Sequence, residues 1–294
     1  MKNLKGSIML IITALIWGTA FVAQSKGMDY IGPFTYNALR TLLGGIVLIP
    51  VIALFRRSKS THKNTPSKTT VKGGILCGTV LFAASSLQQA GISMTTAGKA
   101  GFVTALYIII VPVLGLFLGK RPRSVIWICA AGALAGFYLL CIKEDFAVSG
   151  GDLLVLAGAV FFAVHIMVID KFNDMGADGM VMACLQFFTA GTIMLICMFI
   201  FEKPVLSSIY DAKLTILYTG IMSCGVAYTL QILGQRQTEP ARATMLMSLE
   251  SVFAALSGWV ILNEKLSPRE ICGCALVFSA VLAAQLLSAD KKAG

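Results

Sequence analysis

Long apolar runs alternate with short polar connections along the whole chain. A helix that crosses the hydrocarbon of a bilayer needs about 20 mostly apolar residues, and the runs have about that length. The connections are short except for residues 56–71, so neighbouring helices must be antiparallel. The pattern predicts an all-α membrane protein of ten transmembrane helices, at residues 7–25, 33–55, 72–92, 97–118, 124–142, 152–171, 179–201, 212–233, 240–262 and 268–288.

The composition supports a membrane fold and argues against a soluble one. Of the 294 residues, 57% are hydrophobic and 13% are charged, and the mean hydropathy is +0.82. A soluble domain carries about 25% charged residues. The net charge of +10 does not indicate nucleic-acid binding, because the cations lie in short loops and form no basic face. The eight cysteines lie in apolar segments without metal-ligand spacing, so we expect no metal and no other cofactor.

Lys and Arg are concentrated in the loops on the same side as the N-terminus. Because cytoplasmic loops carry an excess of these residues, we expect both termini in the cytoplasm of a multi-pass plasma-membrane protein. The basic segment 56–71 could also bind anionic lipid, although orientation alone explains its charge. GxxxG sequences at residues 74–78, 115–119 and 132–136 favour close packing inside the bundle, so we expect a monomer or a weak homodimer.

The two halves of the chain, residues 1–146 and 147–294, resemble each other. Trp17 falls opposite Phe162 in this alignment. The aligned pairs are residues 6–26 with 151–171, 87–91 with 230–234, and 99–100 with 242–243. Five helices is an odd number, so the second copy enters the bilayer upside down, as in transporters with inverted repeats. Two such halves can expose a central site to either side in turn, which favours a secondary transporter with alternating access.

The sequence also resembles the EamA-type family of the drug/metabolite transporter superfamily. The residues that carry the resemblance are 14–18 with Phe21, 100–104, 111–113, 119–122, 248–250 and 262–266. The resemblance implies two consecutive family repeats, ten helices around a central cavity, and export or exchange of small metabolites or drugs. The family often has proline after the glutamate of the ninth helix, where this chain has Ser251. Pro112 keeps the corresponding break in the fourth helix.

Glu250 is the most informative polar residue, because it lies about 15 Å into the ninth predicted helix at a rise of 1.5 Å per residue. Intramembrane charges are costly and usually face the bundle interior. Tyr107 is its equivalent in the first half. We expect Glu250 to hold a proton when no ligand cation is present, because burial disfavours the anion. It could couple protons or bind a substrate amine. The alternative is a neutral carboxyl that only joins two helices.

His165 and Arg40 also lie well inside predicted helices, away from their ends. His165 is either a packing residue or a proton carrier and substrate contact. Arg40 could extend to the interface or meet a substrate carboxylate, and the sequence favours the structural role.

Polar and aromatic residues recur at helical spacing on several predicted helices. Trp17, Phe21 and Gln24 share one face, Thr104 and Tyr107 a second, and Tyr228, Gln231 and Gln235 a third. Aromatic rings beside amides suit an amino acid with a hydrophobic side chain. Ordinary helix packing explains any single stripe equally well. The predicted substrate-binding residues are Trp17, Gln24, Gln88, Thr104, Tyr107, His165, Tyr228, Gln231 and Glu250, with Glu250 and His165 as possible proton carriers.

The competing functions receive less support from the sequence. An intramembrane enzyme would need a metal pair, a nucleophile with its base, or a second carboxylate near Glu250, and the sequence contains neither HExxH nor GxSxG. A small-molecule substrate therefore remains the expected partner, first an amino acid or related metabolite and second a cationic drug.

Overall fold

The computed structural model describes residues 2–58, 67–95, 97–120, 122–141, 149–262 and 267–289, and within these ranges the only regular structure is helical. The α-helices are α1 Lys2–Gly27, α2 Pro33–Ser58, α3 Lys68–Ile92, α4 Ala97–Ala105, α5 Tyr107–Phe117, α6 Ser124–Cys141, α7 Gly150–Asp174, α8 Gly179–Phe201, α9 Leu206–Asp211, α10 Lys213–Tyr218, α11 Thr229–Gln235, α12 Pro240–Met247, α13 Glu250–Leu262 and α14 Pro268–Ala289. A π-helix, Thr219–Tyr228, joins α10 to α11.

In the described ranges, each apolar segment predicted from the sequence coincides with one or more helices. Among the described residues, eight helical stretches are long and apolar enough to cross a membrane, and Ser124–Leu139 is a shorter apolar helix. Large apolar side chains face outward, as in Ile128 at 73% exposed and Phe199 at 70%. Such outward apolar surface is expected where lipid replaces water. The chain is therefore an all-helical membrane protein, and the number ten stays a prediction. The eight stretches are Leu4–Gly27, Pro33–Leu54, Lys68–Ile92, Ala100–Phe117, Gly150–Asp174, Gly179–Phe201, Lys213–Gln235 and Pro240–Ile261.

Two of the candidate spans are broken near their middle. The break between α4 and α5 falls at Leu106, where the Leu106 N–H donates to the Val103 carbonyl three residues back at 3.2 Å. The sequence predicts a break at Pro112, but α5 continues through this residue. A proline removes only one backbone donor. The backbone hydrogen-bond pattern of the helix changes at Leu106, six residues before Pro112.

The second break, between α12 and α13, occurs at Ser248 and Leu249 even though Ser251 replaces the proline common in the family. The Ser248 hydroxyl donates to the Met245 carbonyl at 2.8 Å, and the Thr244 hydroxyl donates to the Ala241 carbonyl at 2.8 Å. Hydroxyl groups that bond to carbonyls of the preceding turn compete with the helix's own hydrogen bonds and bend it.

The helices pack in a few extensive pairs, which are α1 with α13, α3 with α7, α3 with α8, α2 with α8, and α6 with α14. Small residues permit the closest approaches. A Cβ on Gly18 of α1 would lie 2.7 Å from the Glu250 carbonyl oxygen, and one on Gly78 of α3 would lie 2.6 Å from the Gln186 carbonyl oxygen of α8. Gly78 belongs to a GxxxG sequence, and this glycine packs inside the bundle.

We call the end of the bundle at which α1 begins the proximal end, and the opposite end the distal end. At the proximal end, Gly6 lies against Thr238, and the Asp178 N–H donates to the Thr70 hydroxyl at 3.0 Å. At the distal end, the Glu202 carboxylate accepts hydrogen bonds from the Phe34 and Thr35 N–H groups, both at 2.8 Å. Glu202 thereby caps the N-terminus of α2 and joins it to the end of α8.

Candidate functional site

A small central cavity of about 40 Å³ lies among α1, α2, α3, the broken helix α4–α5, α7, the π-helix and α13. Roughly 10–15 Å³ of such space holds one water, so this central cavity has room for only a few waters. Most of the predicted substrate-binding residues line it, and His165 and Gln231 do not. The lining residues are Trp17, Phe21, Gln24, Arg40, Gln88, Thr104, Tyr107, Phe162, Ser223, Tyr228 and Glu250.

Tyr107 and Glu250 meet in this cavity. The Tyr107 hydroxyl donates to Oε1 of Glu250 at 2.9 Å, and both side chains are buried. Tyr107 is the first residue of α5 and Glu250 the first of α13, so each follows the break in its own span. The sequence alignment had made these two residues equivalent at similar depth. The structure places the equivalent residues in direct contact.

Arg40 brings a cation to the same cavity. Its side chain is buried, with the residue 5% exposed, and does not extend to the bundle surface. Its Nε donates to Oδ1 of Asn37 at 2.8 Å, and Asn37 donates in turn to the Ser85 carbonyl at 3.0 Å. The guanidinium also lies 5.7 Å from the centre of the Tyr36 ring. Within the described part of the chain, no carboxylate forms an ion pair with Arg40.

Aromatic rings form the apolar part of the lining. The Trp17 and Tyr228 rings have centroids 4.8 Å apart and are inclined at 60°. Phe162, which the alignment placed opposite Trp17, lines the same cavity. The indole Nε1 of Trp17 is buried and has no hydrogen-bond partner in the described structure. The lining therefore offers a ligand an apolar surface and the free N–H donor of Trp17.

Amide and hydroxyl groups complete the lining. Nε2 of Gln88 donates to the Thr104 hydroxyl at 3.1 Å, which joins α3 to α4. Gln24 donates to the Ala20 carbonyl of its own helix at 3.3 Å, while its Oε1 has no partner among the described residues. Ser223 lies in the π-helix and also lines the cavity. Irregular helical turns of this kind often occur at functional sites.

His165 and Gln231 lie outside the central cavity lining. His165 is fully buried, and its Nε2 lies 3.0 Å from Oε1 of Gln186. Its ring meets the edge of Tyr228 at a centroid distance of 6.1 Å. Through this ring contact with Tyr228, His165 adjoins the cavity lining without being part of it. Gln231 is buried one turn beyond Tyr228, and its Oε1 has no partner in the described structure.

Sequence reasoning did not assign Arg40, Phe21, Phe162 and Ser223 to the site. Phe21 belongs to the Trp17 stripe and Phe162 aligns with Trp17, so the sequence relates both residues to the site. The sequence favours a structural role for Arg40 over contact with a substrate carboxylate, because a lone arginine on one helix gives no indication of which other helices face it. The π-helix that positions Ser223 has no sequence pattern that distinguishes it from an α-helix.

A second, larger cavity of about 470 Å³ lies at the proximal end, and we call it the proximal vestibule. Its lining comes from α5, the loop after α5, the end of α7, and residues 235–241. Lys120 from the loop donates a hydrogen bond to Asp170 of α7, and its Nζ lies 3.7 Å from Asp174. Partial burial lowers the pKa of Lys120, but the hydrogen bond and charge of Asp170, aided by Asp174, more than offset it, so the net shift is upward. Lys120 is thus held in its charged form.

Several sequence predictions cannot be compared with the structure. Residues 263–266 of the family motif, residue 121, and residues 59–66 of the basic loop lie outside the described ranges. Within those ranges, no group of three His, Cys, Asp or Glu residues is placed to hold a metal ion.

Known proteins resemble this chain over nearly its full length. The EamA-like transporter family matches twice, at residues 4–142 and 149–284. An uncharacterized transporter of Archaeoglobus fulgidus is 27% identical over 97% of this chain and 87% of its own length. The uncharacterized transporter YoaV of Bacillus subtilis is 24% identical over 91% of this chain and 92% of its own. A protein of known crystal structure superposes with a TM-score of 0.80 at 22% identity, covering 97% of each chain, which establishes a shared fold.

Proposed function

The chain belongs to the EamA-like transporter family, and from that premise we propose that it is a secondary transporter that exports or exchanges amino acids or related metabolites. In this proposal the protein spans the plasma membrane ten times as two inverted five-helix repeats, with both termini in the cytoplasm. The proximal end is then the cytoplasmic end. The protein acts by alternating access, without a cofactor.

The observation that carries the amino-acid assignment is that Arg40 and Glu250 line one central cavity. A free amino acid carries an ammonium and a carboxylate, and it needs one protein group of each sign. Arg40 has no acidic partner within the described chain and can present guanidinium donors to a carboxylate. Glu250 makes one hydrogen bond among the described residues and can accept a bond from an ammonium.

The aromatic lining favours an amino acid with an apolar side chain. Trp17, Phe21 and Phe162 provide apolar surface beside the two charged groups. Binding sites for small molecules commonly combine a mostly apolar wall with a few polar groups that fix orientation. Leucine and phenylalanine are therefore the first substrates to test.

The small volume of the central cavity fits the closed stage of a transport cycle. A space of about 40 Å³ cannot hold an amino acid, so the surrounding helices must move before one binds. The breaks at Leu106 and at Ser248–Leu249 adjoin the cavity and leave backbone groups outside the regular helix pattern. Discontinuous helices around a mid-membrane site are typical of transporters with inverted repeats.

Matched packing of the two halves supports the inverted-repeat part of the proposal. α1 packs against α13, and α7 packs against α4 and α5, as the alignment of the halves requires. The aligned pairs Trp17 with Phe162 and Tyr107 with Glu250 line one cavity. A pseudo-two-fold axis through that cavity would account for both observations.

Glu250 is also the group that we propose for proton coupling. When the substrate ammonium leaves, a proton can take its place on the carboxyl, while the Tyr107 hydroxyl keeps one oxygen in position. His165 is the weaker candidate, because it lies outside the cavity lining and contacts the lining residue Tyr228.

Efflux of cationic drugs is the second candidate function, because Glu250 lies among aromatic rings that could hold a cation. The charge of Arg40 in the same cavity disfavours that ligand. Counterflow in proteoliposomes separates the two functions, with labelled leucine, phenylalanine, threonine and lysine beside a labelled quaternary ammonium cation. Exchange of amino acids is the expected result. Movement of the quaternary cation alone would overturn the amino-acid assignment in favour of drug efflux.

A further inference from the structure

The proximal vestibule contains a buried carboxylate that is paired with a much more exposed lysine. The Asp170 side chain is 9% exposed, whereas that of its partner Lys120 is 44% exposed. Asp170 is fixed in the wall of α7, while Lys120 stands on a short loop directly after Gly119, whose φ of 75° marks a sharp turn. Lys120 can therefore swing into solvent, and Asp170 cannot.

A buried carboxylate that loses its partner is strongly disfavoured. If Lys120 leaves, another cation or a proton must neutralise Asp170. The Asp174 carboxylate, one helical turn further along α7, reinforces this preference for a cation. Because Lys120 presents a primary ammonium, a ligand with a primary ammonium fits the position it vacates.

The vestibule also has groups for the rest of a zwitterion. Arg236 lines it and forms no ion pair within the described chain. Gln235 lines it as well, and its buried Oε1 has no partner among the described residues. A volume of about 470 Å³ is in the range of small-molecule binding sites.

Only a thin layer separates the vestibule from the central cavity. On α5, Tyr107 lines the central cavity and Val111 lines the vestibule, four residues apart, or about 6 Å along a helix. On α11, Gln231 lies between Tyr228 at the central cavity and Gln235 at the vestibule, with an unpartnered Oε1. A ligand in the vestibule is thus one turn of helix from the central site.

We propose that the proximal vestibule is a loading site, in which the ammonium of a zwitterionic amino acid replaces Lys120 at Asp170 before the substrate moves to the central cavity. This inference rests on the proposed transport of amino acids. It assigns a second binding position to the same substrate. At that position the Lys120 ammonium competes with the substrate ammonium for Asp170.

The test measures leucine counterflow separately from each face, in right-side-out and inside-out vesicles that contain the full-length protein. Asp170→Asn is expected to raise the half-saturating leucine concentration roughly tenfold or more at the face that carries Lys120, because a charged hydrogen bond is lost. The value at the opposite face should stay unchanged. Asp211→Asn is the matched control, since Asp211 is exposed at the distal end and carries the same charge.

Two companion variants keep the test valid if Asp170→Asn alone fails to fold. The double variant Lys120→Met with Asp170→Asn removes both charges together and should show the same one-sided loss. Lys120→Met alone should lower the half-saturating concentration at that face, because the competing ammonium is gone. Unchanged values at both faces in these variants would overturn the loading site. Absence of leucine counterflow by the wild-type protein would instead overturn the proposed function.

Discussion

Replacement of Arg40 by methionine tests the carboxylate half of the site. Methionine keeps much of the apolar stem and removes the guanidinium. In the structure one guanidinium donor, Nε, is taken by Asn37, which leaves the remaining donors available to a ligand carboxylate. We therefore expect Arg40→Met to weaken leucine binding selectively.

The size of the effect follows from the charge of both groups. A hydrogen bond between charged partners contributes roughly 1.5–3 kcal/mol. At about 1.4 kcal/mol for each factor of ten, the half-saturating leucine concentration should rise roughly 10- to 150-fold. The contact of Arg40 with Asn37 should keep the guanidinium in place before binding, which favours the upper part of this range.

The assay compares two substrates that differ only in the carboxylate. Leucine has one, and 3-methylbutylamine is the same molecule without it. Arg40→Met should raise the half-saturating leucine concentration in counterflow. Competition by 3-methylbutylamine should stay unchanged or improve, because a positive charge near its ammonium has been removed. Lys26→Met is the control, since Lys26 is an exposed cation at the distal end of α1. An equal loss for both compounds in a folded Arg40→Met protein would refute the reasoning and assign Arg40 a structural role.

Three further expectations follow from the same structure. Glu250→Gln should abolish the pH dependence of leucine counterflow, and an unchanged pH profile in the folded variant would exclude Glu250 from proton coupling. His165→Gln should lower the thermal midpoint and leave the pH profile intact, because the histidine lies behind the cavity wall; a shifted profile would make it a proton carrier. Gly18→Ala places a Cβ 2.5 Å from the Cβ of Phe253 and should cost roughly 1–3 kcal/mol of stability. Gly150→Ala meets nothing within 4 Å and should not lower the thermal midpoint.

The helices could be predicted from the sequence because the requirement is local. Each apolar run must be long enough to cross the hydrocarbon, and that length can be read from one segment at a time. The alignment of the halves also pairs Tyr107 with Glu250, and these two side chains meet in the structure.

The breaks and the shape of the site were harder to predict, because they depend on several helices at once. Pro112 suggested a break in the fourth span, yet the break lies at Leu106. The other break has no proline, and there the hydroxyl groups of Thr244 and Ser248 donate hydrogen bonds to carbonyls of the preceding turn. The role proposed for Arg40 depends on α13, which places Glu250 in the same cavity. The residue pattern of a single helix does not contain that information.

The central claim is that one site recognises both charges of an amino acid, and competition against leucine counterflow by the wild-type protein tests it most directly. The competitors are unlabelled leucine, 3-methylbutylamine without the carboxylate, and 4-methylpentanoate without the ammonium. We expect each truncated compound to compete at least roughly tenfold more weakly than leucine, since each lacks one charged hydrogen bond. If 3-methylbutylamine competes as well as leucine, the site recognises a cation alone, and the assignment of a zwitterionic substrate is contradicted.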